Sequence, residues 1–129
     1  MNFKPAAAFR TMALQLQGGL GFREAWELGR LCGALAARWG CDVVGLAEVG
    51  LEPQEAAIFG RAVRPFGYRA LVHTVGARRN GVGLLARVEW NPELIRRDDQ
   101  GRALLVKLHY QTDRLPIPVL GMPLYGVSP

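Results

Sequence analysis

Histidine, cysteine, lysine and long apolar runs are all scarce in this chain, and each shortage narrows what it can be. The two histidines, His73 and His109, both fall inside strand-like patterns and read as packing or surface residues. Cys32 and Cys41 match no metal-binding or redox spacing, so they read as reduced packing residues of an intracellular protein. No apolar run approaches the ~20 residues that span a bilayer. The amino terminus, MNFKPAAAFR, lacks the apolar core of a secretory leader. Internal repeats, low-complexity stretches and a second domain are also missing.

What is present is globular. The 129 residues are half hydrophobic, enough for one domain that buries roughly two-thirds of its unfolded surface. Charge is lopsided: 16 Lys+Arg stand against 11 Asp+Glu, a formal +5. Only Lys4 and Lys107 are lysines, so 14 of the 16 cations are arginines, the side chain that forks onto phosphate. That invites a nucleic-acid reading. Spread over the surface it is also a simple composition bias, and the only basic pairs are Arg78–Arg79 and Arg96–Arg97.

Along the chain, Thr11–Gln17 alternates as a strand with Gln15 and Gln17 on one face. Glycines break it before the clearest helix, Phe22 to Trp39. There Leu28, Leu31, Cys32, Leu35, Ala36 and Trp39 recur at three- and four-residue steps. The expected packing sets Leu28, Leu31, Leu35 and Trp39 on a sheet. Gly40 stops the helix, and an apolar, β-branched run beginning at Val43 follows as a buried strand. Strand, helix and strand make a crossover unit with parallel strands. Pro53 opens a second helix to Val63. Tyr68–Thr74 and Val82–Arg87 then flank the loop GARRNG as a hairpin, Asp98–Gly101 is a turn, and Arg102–Tyr110 alternates. In Leu115–Tyr125, Pro116, Pro118 and Pro123 argue against a central strand.

The stretch that organises these elements is Cys41–Leu51, CDVVGLAEVGL. Glu48 closes its apolar run with Leu46, Ala47 and Val49 as neighbours. A carboxylate at the end of a buried strand sits where α/β folds gather ligands and metals. It is equally a position from which a glutamate turns back to water.

The order of these motifs resembles the N-terminal half of the endonuclease/exonuclease/phosphatase superfamily, the DNase I-like fold. Its retrotransposon-type and apurinic-site endonucleases look closest. A WNxxG-like motif corresponds to LQLQGG, Leu14 to Gly19. The DVVxLQE-like strand corresponds to Asp42–Glu48, and a GY element to Gly67-Tyr68. A GGVAxLxR-like strand corresponds to Asn80–Arg87, a GR-initiated strand to Gly101-Arg102, and a VNVY-like strand to Met122–Tyr125.

That resemblance implies an α/β fold, the four-layer DNase I-like sandwich with a mixed β-sheet. Here it is cut to roughly its N-terminal half, as one incomplete domain over residues 1–129 with residues 11–126 ordered. An uncovered apolar sheet face is then expected. The implied activity is Mg²⁺-dependent hydrolysis of a phosphodiester, with Mn²⁺ as a substitute ion. The partner is nucleic acid or another phosphate ester; no membrane or obligate protein partner is implied. By the resemblance Glu48 ligates the metal with Gln17 beside it, Gln15 stands where an asparagine orients metal and phosphate, and Tyr125 faces the scissile phosphate. Arg78 and Arg79 would contact nucleic acid. Ala47 and Pro123 depart from the family's Gln and Asn, and its Asp-x-Asn and Asp-His motifs have no counterpart here. The isolated chain is therefore expected to be inactive. A basic nucleic-acid-binding remnant, or a fragment without function of its own, are the alternatives.

Overall fold

A computed structural model describes residues 9–16, 22–74, 81–97, 103–110 and 117–125. Two helices and seven strands run in the order β1 (Thr11–Gln15), α1 (Phe22–Arg38), β2 (Val43–Ala47), α2 (Pro53–Val63), β3 (Tyr68–Thr74), β4 (Gly81–Arg87), β5 (Glu93–Arg97), β6 (Ala103–Tyr110) and β7 (Ile117–Tyr125). The first sheet has strand order β1-β2-β4-β3, with β1 and β2 parallel and the other pairs antiparallel. The second, β5-β6-β7, is antiparallel throughout. The fold is mixed α/β, as the sequence implies.

Strand alternation sends side chains of the first sheet into two cores. Met12, Leu14, Leu16, Val44, Leu46 and Leu85 meet the helices. Val43, Val82, Leu84 and Ala86 meet Leu104, Val106 and Leu108 of β6. The result is three layers: helices, mixed sheet, antiparallel sheet. Both faces of the first sheet are thus covered at β2 and β4, whereas Thr11, Ala13 and Gln15 on the second-sheet side of β1 are exposed. Exposed apolar side chains lie also at Leu94 and Ile95 on β5 and along α1. β5 was not read from the sequence: its five residues, ELIRR, are all exposed and carry no buried alternation. The prolines of β7 fit an edge strand, since β7 pairs only with β6 among the described residues.

Helix α1 packs differently from expectation. Trp39 is 58% exposed and Leu31 56% exposed, so neither rests on the sheet. Ala25, Cys32 and Ala36 are buried there instead, with Leu28 packed at their margin. The reason is the second helix. A Cβ on Gly29 would lie 2.6 Å from the Ala62 Cβ, and one on Gly33 would lie 2.6 Å from the Phe66 ring. Close approach of α2 at these glycines turns the small-residue face inward and leaves Leu31 and Trp39 outside, so side-chain size misled the pattern.

Local signals end the elements as anticipated. Gly40 takes φ 61° and the Cys41 N–H closes onto the Ala36 carbonyl at 2.9 Å, a left-handed stop. At the start of α2 the Glu52 N–H donates to Glu55 Oε1 at 2.9 Å. Beyond α2, a 3₁₀ turn over Arg64–Phe66 ends at Gly67, φ 89°.

Burial also sets two titrations. Desolvation pushes the Cys32 thiol from 9.0 up to about 11. Burial likewise raises the Tyr68 phenol, the nearby Arg87 charge opposing it and Cys41, Asp42 and Glu89 adding to it. The Tyr68 hydroxyl donates to the Cys41 carbonyl at 2.6 Å. A proton held more tightly in the folded state stabilises fully below the unfolded value and is lost as pH rises through the folded one. Wild type should therefore lose roughly 2 kcal/mol from Cys32 between pH 9 and 11. Urea midpoints across that range should fall less steeply for Cys32→Ala; equal slopes would refute the assignment. Trp39→Ala should change stability by less than about 1 kcal/mol, whereas Phe59→Ala, wholly buried, should cost about 3–5 kcal/mol.

Candidate active site

Parallel pairing brings the carboxyl ends of β1 and β2 side by side. Gln15 is in register with Ala47, and the Leu16 N–H extends the ladder to the Ala47 carbonyl at 2.8 Å. Glu48 is the next residue, half-buried, one step beyond the pair. Gln15, on the exposed side of β1, shares a register row with Ala47 and, through β4, Val82. The predicted neighbours Gln15 and Glu48 are thus brought to one end of one strand pair.

The backbone at Glu48 is unusual. Its φ is 52°, and Glu48 and Asn91 are the non-glycine residues with positive φ among those described. This left-handed conformation costs a residue with a Cβ on the order of 1–2 kcal/mol. It is imposed from both sides: Ala47 is tied to Leu16, and the Val49 N–H bonds the Gly81 carbonyl at 3.1 Å. Val49 and Leu51 are buried, anchoring the exit. The carboxylate is therefore carried on a pinned, turned-out point of the chain rather than at a frayed strand end.

The other predicted residues fare unevenly. Gln17, Arg78 and Arg79 lie outside the described residues. Tyr125 is the last residue of β7, paired with Ala103 at the start of β6 in the second sheet. His73 is buried on β3 in the register row of Val82 and Ala47, two strands from the Glu48 end of β2, and His109 Nε2 sits 3.0 Å from Glu93 Oε1 in the second sheet. Among the described residues no cluster of three or more His, Cys, Asp or Glu side chains could hold a metal. The donor set on hand is one carboxylate and one neutral amide. That set suits Mg²⁺, which takes oxygen ligands and commonly keeps waters and substrate phosphate beside one or two carboxylates.

One buried carboxylate escaped the sequence reading. Asp42 is 1% exposed and lies at the opposite end of β2. Its Oδ2 accepts the Arg10 N–H at 2.9 Å, its Oδ1 accepts Trp90 Nε1–H at 3.1 Å, and Arg87 Nε stands 3.7 Å from Oδ1. An acid directly before a β-branched run was the available signal. Its role is structural.

No family model matches the chain, and no curated protein does. Solved structures do. A humanized D. rerio TDP2 with 14 mutations is similar at 18% identity and TM-score 0.49, over 77% of this chain and 41% of that one. The endonuclease domain of TRAS1, a telomere-specific non-LTR retrotransposon, is similar at 13% identity and TM-score 0.47, over 93% of this chain and 46% of that one. The chain spans under half the length of either. No described helix is long and apolar enough to cross a membrane.

The backbone strain at Glu48 gives a direct check. Glu48→Gly should be more stable than Glu48→Ala by about 1 kcal/mol, because only glycine enters the left-handed region freely. Urea denaturation of the two variants measures it; the reverse order would mean that residue 48 is not left-handed.

Proposed function

We propose that this chain carries part of the catalytic site of a Mg²⁺-dependent phosphodiester hydrolase whose substrate class is nucleic acid. The observation that supports it is the pinned, left-handed Glu48 beside Gln15 at the carboxyl ends of a parallel strand pair. Strain held in place by its surroundings recurs at functional sites. Glu48 would hold the ion, Gln15 and Gln17 would present amides to ion or phosphate, and Tyr125 would meet the phosphate. Bound there, Mg²⁺ would supply Lewis-acid polarisation of a phosphoryl oxygen.

The same residues limit the activity. Gln15 adds one methylene to the shorter amide that the family's pattern has, and a displacement of ~1 Å can cost about 100-fold in rate. Hydrolysis also needs a group to activate water and one to stabilise the leaving oxygen. Glu48 and Gln15, assigned to ion and phosphate, supply neither. The reading is therefore of a domain portion that needs further catalytic groups, with the 129-residue chain inactive by itself.

Calorimetric or NMR titration with MgCl₂ should show binding no tighter than the millimolar range, as one carboxylate dehydrates Mg²⁺ poorly. Glu48→Gln should abolish that binding with an unchanged circular-dichroism spectrum. Plasmid and abasic DNA should remain uncut in Mg²⁺ or Mn²⁺. Mg²⁺ binding that survives Glu48→Gln would sink the metal assignment, and cleavage by the wild-type chain would sink the proposed inactivity.

A further inference from the structure

At the end of the sandwich away from Glu48, the exposed edges of the two sheets part into a cleft. Its position follows from register. Arg69 of β3 is paired with Ala86, which is paired with Val43 at the start of β2, whereas the row nearest Glu48 is His73, Val82 and Ala47. The two rows are on the order of 15 Å apart along the strands. Ala86 belongs to the core between the sheets, so Arg69 leaves β3 on the side of the second sheet.

The cleft has two adjoining, open parts that share Arg69, Asn91 and Pro92. One, about 360 Å³, is lined by Arg64, Arg69 and Asn91 with Val88 and Pro92. The next, about 560 Å³, continues past Arg69 and Asn91 to Leu71, Leu94, Glu93 and His109. Arg69 and Asn91 therefore stand at the junction, in reach of both.

The charged groups here are not alike. Among the described residues, the side chains of Arg64 and Arg69 make no hydrogen bond or ion pair. Two arginines of this fold are committed elsewhere: Arg10 donates to the Trp39 carbonyl at 3.1 Å, and Arg87 stands by Asp42 and over the Tyr68 ring. The one acid in the cleft, Glu93, is engaged by His109 at its far end. Asn91 is fixed at φ 42° by its N–H to the Val88 carbonyl, which leaves its side-chain amide uncommitted. Two forked cations and an amide thus border a groove whose apolar lining is Leu71, Val88, Pro92 and Leu94, with Tyr68 beside Arg64 and the Glu93–His109 pair at the far end.

We infer that this cleft binds the phosphodiester backbone of single-stranded nucleic acid, independently of the Glu48 site. Planar guanidinium forks match phosphate oxygens in pairs. Two adjoining hollows that share Arg69, Asn91 and Pro92 favour successive phosphates of one strand over one isolated anion. A positive groove with apolar walls is the general form of sequence-tolerant single-strand binding.

Fluorescence anisotropy with a labelled single-stranded oligonucleotide, over a salt series, tests this on the full chain. The Arg64→Gln/Arg69→Gln variant should bind at least about 10-fold more weakly. Its plot of log affinity against log salt should be shallower by about 1.4, the slope expected for two lost phosphate contacts on a single strand. A control that removes the same charge from α1, Arg30→Gln/Arg38→Gln, should bind nearly as wild type. Equal weakening by the control pair, no weakening by the cleft pair, or no binding by wild type would each overturn the proposal. Inorganic phosphate competing as well as unlabelled oligonucleotide, phosphate for phosphate, would make this a site for the free ion and overturn the polymer assignment.

Discussion

The carboxylate of Asp42 is the constraint on which the rest of this sandwich depends. Buried at the start of β2, it gathers the backbone of Arg10, the indole of Trp90 and the guanidinium of Arg87. Its main chain is equally occupied, with its N–H on the Arg10 carbonyl at 2.8 Å and its carbonyl accepting Arg87 N–H at 3.0 Å. One residue thereby ties the lead into β1, the exit from β4 and the 3₁₀ turn that leads to the second sheet. A buried charge is tolerated only when its hydrogen-bonding capacity is filled. Phe9 completes the plug, its ring set edge-on to Trp90 at 5.1 Å.

With one end of β2 locked, its other end is free to hold strain. The two acids that bracket β2 have opposite circumstances: Asp42 is enclosed and satisfied, Glu48 half-open and turned out by a left-handed backbone. Between them lie four buried or half-buried apolar residues and Gly45, a rigid bar between two cores. Asp42 serves the fold, and Glu48 is the residue whose conformation the fold pays for. The arginine-lined cleft adds a third region, at the locked end but on the outer edge of β3, where the chain can offer cations without disturbing either core.

Much of this was legible in residue order. Pro53 and Gly40 bounded their elements where they stand, because cap and turn chemistry is local. The parallel β1–β2 pair and the β3–β4 hairpin followed from crossover length and loop composition. Glu48 was singled out for its apolar surroundings, although its left-handed φ depends on hydrogen bonds to Leu16 and Gly81 that no local pattern announces. The orientation of α1 was misjudged for a related reason. Its leucines and Trp39 outweigh Ala25, Gly29, Cys32 and Gly33 in bulk, yet the approach of α2 rewards smallness. β5 was invisible since an all-exposed strand leaves no period, and the Arg64–Arg69 cleft because its residues meet only through the packing of two sheets.

Strand order also dictates a timetable for the nascent chain. β4 lies between β2 and β3 and feeds both cores, Leu85 to the helix side and Val82, Leu84 and Ala86 to the other. Until Arg87 has left the ribosome, β2 can pair only with β1, and its second edge stays open. An open, apolar edge is the template on which chains aggregate. During synthesis the first half must therefore wait, and a chaperone that shields Val43–Ala47 would act in that interval.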